Sequence, residues 1–437
     1  MGKSNPMRKI TLITLFESAV QWYCFLLYGT AAGTVFNKVF FSAAGSETTA
    51  LILSYMSFAI GYLAGPFGAV FFGHIGDRKG RKSTMIASLL MMGISTFIIG
   101  LLPPAATAGV GVALALQICR LAQCFGRGGT WGGSILMAYE NVPENRRAFY
   151  SAIPQIGLPI GFGLSSIFIL VPSMTMSDEA FYSIGWRVPF LAAIVLVALI
   201  IYFKSQMMET DDFKKAQSKL EAQEAANKKQ KVGFIPMIKG YWRTLLLGSG
   251  TRMVDGTFYN IFIVWILSYC TGWLGMPLYQ TYIITIIACV FKIPFTLFGG
   301  WMAAKCGNTK TFLIGAFGSA ILSIPTLKII EWSGGDLFIT TASVVLGWSI
   351  TYNLIWAVIG SLWSDYFETE VRYSGISFVY HVPSFIAAGI VPTVCTVLIN
   401  YGQGDPLYVG IYSTVIALFS AWCAWMLEKR HRERNDK

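Results

Sequence analysis

The chain has 437 residues, of which 54% are hydrophobic and only 13% charged, with a net charge of +11. Soluble globular domains carry about 25% charged residues, so this composition excludes an ordinary soluble protein. Repeated apolar stretches of roughly 20 residues account for the missing charge, and buried in lipid they have to be helices. The chain therefore reads as an all-α polytopic membrane protein.

Twelve spans are predicted in chain order: 10–36, 49–72, 83–103, 109–138, 148–171 and 187–204, then 242–270, 278–302, 311–330, 337–362, 374–399 and 407–427. The basic start continues into an apolar run too long for a cleaved signal, so it reads as a retained first span. The hydrophilic stretch between Lys204 and Lys239 divides six spans from six. The expected organisation is an N-terminal six-helix bundle (1–203), a cytoplasmic linker (204–240), a C-terminal six-helix bundle (241–428) and a basic tail (429–437). With both termini inside, 26 of the 33 lysines and arginines fall on the cytoplasmic side, and only Lys38, Arg187 and Lys328 fall outside. That bias sets the orientation. It also explains the net charge as contact with anionic membrane lipid, with no call for nucleic acid.

The eight cysteines follow neither metal nor disulfide spacing and read as small buried hydrophobes. No metal site, cofactor motif or nucleophile–base spacing is present in the sequence, so an enzyme is not expected.

A loop after the second span, "GHIGDRKGRK" (Gly73–Lys82), has a weaker copy after the eighth, "GWMAAKCGNTK" (Gly300–Lys310). Such internal repetition is the plan of secondary transporters. In the first copy Gly73, Gly76 and Gly80 shape a tight turn, while Arg78 and Arg81 anchor helix ends. Asp77 sits badly near a helix C-terminus and should find a cationic or helix-N-terminal partner, which would make the loop a gating latch. A purely topogenic basic loop is the alternative.

The ionisable residues within spans are Glu17, Arg120, Arg127, Arg252, Asp255, Lys292 and His381. A charge at mid-bilayer costs roughly 2.5–3.5 kcal/mol on insertion scales, so such residues face a cavity or a partner. In the fourth span Arg120, Gln123, Arg127, Thr130 and Ser134 form one helical stripe. Arg127 lies too deep to snorkel, and its planar head suits a carboxylate held bidentately. The glycines around it permit close helix approach; a packing pair between Arg127 and a neighbouring acid is the competing reading.

In the first span Glu17, Gln21, Cys24 and Tyr28 form a second stripe. The seventh carries Arg252, Asp255 and Tyr259 at i, i+3 and i+7, where Arg252 and Asp255 could simply neutralise each other. His381 could titrate near neutrality or sit as a hydrogen-bonded neutral ring. Gln155, Tyr352, Asn353, Trp356 and Trp131 are candidate cavity lining or core. Four cations against two carboxylates leave a positive excess, which favours an anion.

These residues resemble a known family. The loop at Gly73–Lys82 is similar to the signature of the major facilitator superfamily. "WYCFLLYG" (Trp22–Gly29), "RLAQCFGRGGTWGG" (Arg120–Gly133), "GWRVPF" (Gly185–Phe190) and "RYSG" (Arg372–Gly375) resemble its metabolite–proton symporter branch. Asn145–Ser151 and Val35–Phe41 resemble segments of shikimate-carrying members. The resemblance implies a twelve-helix fold of two six-helix halves that rock about a central site, moving a small organic acid with protons. It also implies departures: acids are usual where Gln21, Cys24 and Thr130 stand, a small residue where Arg127 stands, and an amide where His381 stands.

The resulting expectation is a cell inner-membrane importer of a small carboxylate, shikimate-like or otherwise, working by proton symport and alternating access as a monomer without cofactors. Arg127, Arg120, Gln123, Thr130, Gln21, Tyr28, Gln155, Arg252, Tyr259, Asn353 and His381 are expected at the substrate, and Glu17 and Asp255 at the proton. A drug/proton antiporter and a non-transporting sensor are the rivals.

Overall fold

The computed structural model describes residues 6–79, 81–109, 111–128, 139, 147–207, 234–368 and 371–435. Side chains are described over the same range except at 6–13, 73–85, 200–201, 203–207, 234–237, 373 and 434–435. Twelve helical spans run back and forth along the chain. The first half holds Pro6–Thr34, Glu47–Phe72, Arg81–Leu101, Gly111–Arg127, Arg147–Thr175 and Arg187–Met207. The second holds Ile238–Gly272, Leu278–Cys306, Asn308–Trp332, Leu337–Asp365, Ser374–Tyr401 and Leu407–Asn435. No strand occurs among the described residues. An even number of spans brings both chain ends to one face, called here the terminal face.

Short connections are closed by local chemistry. Ser46 caps the second span by accepting from the Thr49 amide at 3.1 Å, and Asp336 caps the tenth by accepting from the Ile339 amide at 2.8 Å. Gly307, at φ 92°, makes the turn between the eighth and ninth spans, a backbone conformation that a side chain would strain.

Inside each half, small residues let backbones touch. A Cβ on Gly161 would stand 2.1 Å from the Ala19 carbonyl oxygen, pressing the fifth span onto the first. One on Gly68 would stand 1.9 Å from the Phe125 carbonyl oxygen, and one on Gly256 2.2 Å from that of Ala387. These are the backbone-to-backbone seams that membrane helices build in place of a hydrophobic drive.

The first half departs from regular α-helix at a 3-10 turn, Pro154–Ile156, and at a π-helical turn, Phe181–Gly185, that precedes its sixth span, whereas the second half breaks the regular spiral inside three spans. Asn260–Trp265, Val345–Thr351 and Phe385–Gly389 are π-helical turns in spans seven, ten and eleven. Such turns often mark functional sites, and these three spans all contribute to the centre of the molecule.

The two halves meet on both sides of that centre. Toward the face away from the termini, the Tyr55 and Ser268 hydroxyls lie 2.8 Å apart, and Thr34 and Tyr282 3.1 Å apart. Toward the terminal face, the Tyr139 hydroxyl donates to Asp365 Oδ1 at 2.7 Å. A Cβ on Gly300 would stand 2.7 Å from that of Ala152. Contacts between the halves thus lie on both sides of the centre among the described residues.

Candidate substrate site

Arg127 ends the described part of the fourth span and is buried, with 4% of its surface exposed. Its guanidinium carbon lies 3.8 Å from the Phe25 ring centre and 4.6 Å from that of Trp22, so the first span provides its aromatic floor. Its Nη2 donates to the Tyr380 hydroxyl of span eleven, across the boundary between the halves. Gln21 Nε2 donates to the Arg127 carbonyl at 3.4 Å. The side chain is therefore turned inward, toward the opposite half.

Tyr380 is shared. The Arg252 guanidinium carbon stands 4.6 Å from its ring centre. Arg252 and Asp255 form a fully buried ion pair one helical turn apart, and the Tyr352 hydroxyl donates to the other oxygen of Asp255 at 2.5 Å. Lys292, also fully buried, lies 4.4 Å from the centre of the Tyr352 ring and 4.6 Å from that of Trp348. Its Nζ donates to Asn353 Oδ1 at 2.8 Å. Asn353 Nδ2 donates to Thr296 Oγ1 at 2.9 Å. A continuous chain of contacts thus runs from Arg127 in one half through Tyr380, Arg252, Asp255 and Tyr352 to Lys292 in the other.

The walls are aromatic. Trp22 packs edge-on against Trp356 at 5.5 Å and Tyr259 at 6.2 Å. Gln155 and Trp356 exchange hydrogen bonds, with the indole N–H donating to the Gln155 carbonyl at 3.0 Å and Gln155 Nε2 donating to the Trp356 carbonyl at 3.3 Å. The Tyr62 and Tyr259 hydroxyls bridge the halves. The indole N–H of Trp22 is buried with no hydrogen-bond partner among the described residues. An aromatic-lined enclosure with a few placed polar groups is the usual form of a small-molecule site.

The expected residues divide. Arg127, Gln21, Gln155, Arg252, Asp255, Tyr259 and Asn353 converge on this centre. His381 stands beside it, its ring packed edge-on to Tyr380 at 4.9 Å, its Nδ1 3.0 Å from where a Gly65 Cβ would be. Arg120, Gln123 and Tyr28 form a separate cluster inside the first half, with Gln123 Nε2 donating to the Cys24 carbonyl at 2.8 Å and to Thr96 Oγ1 at 2.7 Å. The Tyr28 hydroxyl pairs with Ser57 at 2.8 Å. Glu17 is buried one turn from Gln21 on the terminal side. Thr130, Trp131 and Gly80 lie outside the described residues, as do the side chains of Asp77, Arg78 and Arg81 and the surroundings of Gly73.

Tyr380, Phe25, Trp22 and Thr296 were not singled out by pattern. Tyr380 adjoins His381 about two turns inside an apolar span, and a polar-tipped ring next to an ionisable residue there is a signal that could have flagged it. Phe25 gives no signal, because its role is to present a face to an arginine on another helix.

A family model described as "Sugar (and other) transporter" matches residues 10–429, almost the whole chain. The chain belongs to this family. Sugar (and other) transporter relatives include the inner membrane metabolite transport protein YhjE of Escherichia coli (strain K12), 35% identical over 94% of this chain and 92% of that protein. The shikimate transporter of the same organism is 32% identical over 97% and 95%. The proline/betaine transporter of Salmonella typhimurium is 28% identical over 95% and 82%. Among solved structures, a D-xylose-proton symporter superposes with a TM-score of 0.73 at 16% identity, covering 96% of this chain and 98% of that one, which shows a shared fold. The protein is therefore a multi-pass inner-membrane transporter of the major facilitator superfamily, and not an enzyme.

Proposed function

We propose that this transporter carries a small organic acid, its carboxylate received by Arg127. The observation that supports this reading is the placement of the Arg127 guanidinium at the boundary between the halves, bedded on Trp22 and Phe25 and donating to a neutral phenol, Tyr380. A carboxylate bound there would take up a bidentate pair of donors in an enclosure where charge is weakly screened. Lys292, held by the Asn353 amide and two ring faces, meets no carboxylate in an ion pair among the described residues. It leaves a second positive pole for the far end of the cargo. The shikimate transporter's name places a hydroxylated ring acid among the cargoes of a relative, and the two poles suit that class.

Transport proceeds by alternating access. The N-terminal bundle (1–203) rocks against the C-terminal bundle (241–428), joined by the linker at 204–240, with both termini cytoplasmic and a single chain as the working unit. Glu17 and Asp255, the two carboxyls buried in the spans near this centre, are the proton carriers for symport. The signature loop at Gly73, Asp77, Arg78, Gly80 and Arg81 latches the cytoplasmic side.

The test is uptake into proteoliposomes of a panel of hydroxylated and plain carboxylates, with and without an imposed pH gradient. Carboxylate uptake that rises with an inward proton gradient is the expected result. Extrusion of cationic drugs without carboxylate uptake would favour an antiporter, and ligand binding without counterflow would favour a sensor.

A further inference from the structure

The transport reading leaves two aromatic–basic pairs near the terminal face unused. Trp242, early in the seventh span, and Trp425, late in the twelfth, are 53% and 51% exposed, so both indoles look out of the bundle. The Arg243 guanidinium carbon lies 5.0 Å from the Trp242 ring centre, and Lys429 Nζ lies 5.8 Å from that of Trp425. Both cations are exposed, and no ion pair among the described residues includes either one. Glu428, the acid beside Lys429, is engaged elsewhere, accepting from Thr309, Tyr366 and Arg432. Trp273 and Trp332, exposed near the opposite face, have no cation over their rings among the described residues.

The two pairs belong to one surface. Ser420 Oγ donates to the Gly250 carbonyl at 2.8 Å and accepts from the Val254 amide at 3.0 Å, and Cys423 Sγ leaves no room for a Cβ on Gly250. The seventh and twelfth spans therefore lie side by side. From that contact toward the terminal face, Arg243 is seven residues beyond Gly250 and Lys429 six beyond Cys423, about 9–10 Å of helix axis in each case. The two cations thus stand at one level on neighbouring antiparallel helices. Deeper along the same seam, Leu246, Phe419 and Trp422 are exposed, and Phe419 and Trp422 pack ring to ring at 6.1 Å.

Indoles near a helix end sit at the headgroup level of a bilayer, and basic side chains just beyond them attract the anionic lipid of that leaflet. A phosphate takes charge-assisted hydrogen bonds from such cations, while the apolar side chains below suit acyl chains. We propose that Arg243 and Lys429, floored by Trp242 and Trp425, form a binding site for the phosphodiester of an anionic glycerophospholipid whose acyl chains follow the seam of spans seven and twelve. A zwitterionic lipid carries an ammonium group that the two cations repel, so selection is by headgroup charge. Arg252 lies nine residues deeper on the seventh span. A lipid seated here therefore braces the helix that holds the central ion pair.

The experiment is thermal unfolding of the purified full-length protein in detergent, titrated with phosphatidylglycerol, phosphatidylcholine or sodium phosphate. A saturable rise in Tm with phosphatidylglycerol alone is expected. Arg243→Gln combined with Lys429→Gln should weaken the apparent lipid affinity roughly 30-fold, the loss expected of two cations at a membrane surface. Both side chains are exposed, so this variant keeps its core, and its Tm without lipid checks that. Lys305→Gln, which removes the cation 4.1 Å from the Trp301 ring on another helix, should keep the response. An equal rise with phosphatidylcholine would mean chain packing only, and a rise with sodium phosphate a free-anion site. An undiminished phosphatidylglycerol response in the double variant would place the lipid elsewhere. Each of these three results overturns the proposal.

Discussion

The two halves handle buried positive charge in different ways. In the first half, Arg120 and Arg127 rest on ring faces and reach amide, carbonyl and phenol oxygens. In the second, Arg252 is neutralised on its own helix by Asp255, and Lys292 is tied to an amide. In the first arrangement these contacts are ring faces and neutral oxygens, and a ring face stabilises charge without cancelling it. The Arg252–Asp255 pair is self-contained, and whatever disturbs it exposes a desolvated charge. The contrast suggests a division of labour, in which the first half receives the cargo and the second registers its arrival through Tyr380.

The sharpest way to break this contrast is Arg127→Ala. It should reduce uptake at least about 100-fold, in the range lost when a charged partner of a buried ligand group is removed at about 3 kcal/mol or more, while the protein still inserts and elutes as a folded species. Wild-type uptake by that variant would remove the receiving role from the first half. Asp255→Asn should come next, destabilising the protein by about 3–5 kcal/mol because Arg252 is left buried without its counter-charge. Thermal unfolding in detergent measures it, and Arg252→Met combined with Asp255→Leu should recover much of the loss. Glu17→Gln should leave substrate exchange intact and abolish accumulation against a gradient, read by counterflow and by pH-driven uptake on the same vesicles. Unchanged accumulation would take proton carriage away from Glu17. A smaller effect is expected for Trp356→Phe, which removes the indole donation to Gln155, worth about 1 kcal/mol, and trims the ring that packs on Trp22. It should raise KM several-fold without changing maximal flux.

Much of this design was legible in the sequence because membrane chemistry leaves coarse marks. Twelve apolar runs and a basic-residue bias are read directly, and the helical stripe at 120, 123 and 127 is real. The stripe nevertheless conflated two environments. Arg120 and Arg127 lie 7 residues apart, so a helical wheel puts them on one face, yet Phe25 stands between them and separates a caged cation from an interfacial one. Depth along the helix, which a wheel discards, decides which arginine meets the other half. Likewise the Arg252–Asp255 spacing announced a pair, but no spacing within one helix reveals that Tyr352 and Tyr380 approach it from two others. Aromatic rings acting across helices are invisible to periodicity because they look like ordinary core.

The π-helical turn at Asn260–Trp265 lies directly after Tyr259 and within two turns of the Arg252–Asp255 pair. A turn of that kind holds one residue more than the regular spiral needs. Deleting a single residue there would let the ladder close up, swinging everything beyond it by about 100°. Tyr55 and Ser268 would no longer face each other, while Arg252 and Asp255 would keep their places relative to the eleventh span. One surplus residue is thus what lets the outer contact and the inner pair be aimed independently on the same rod.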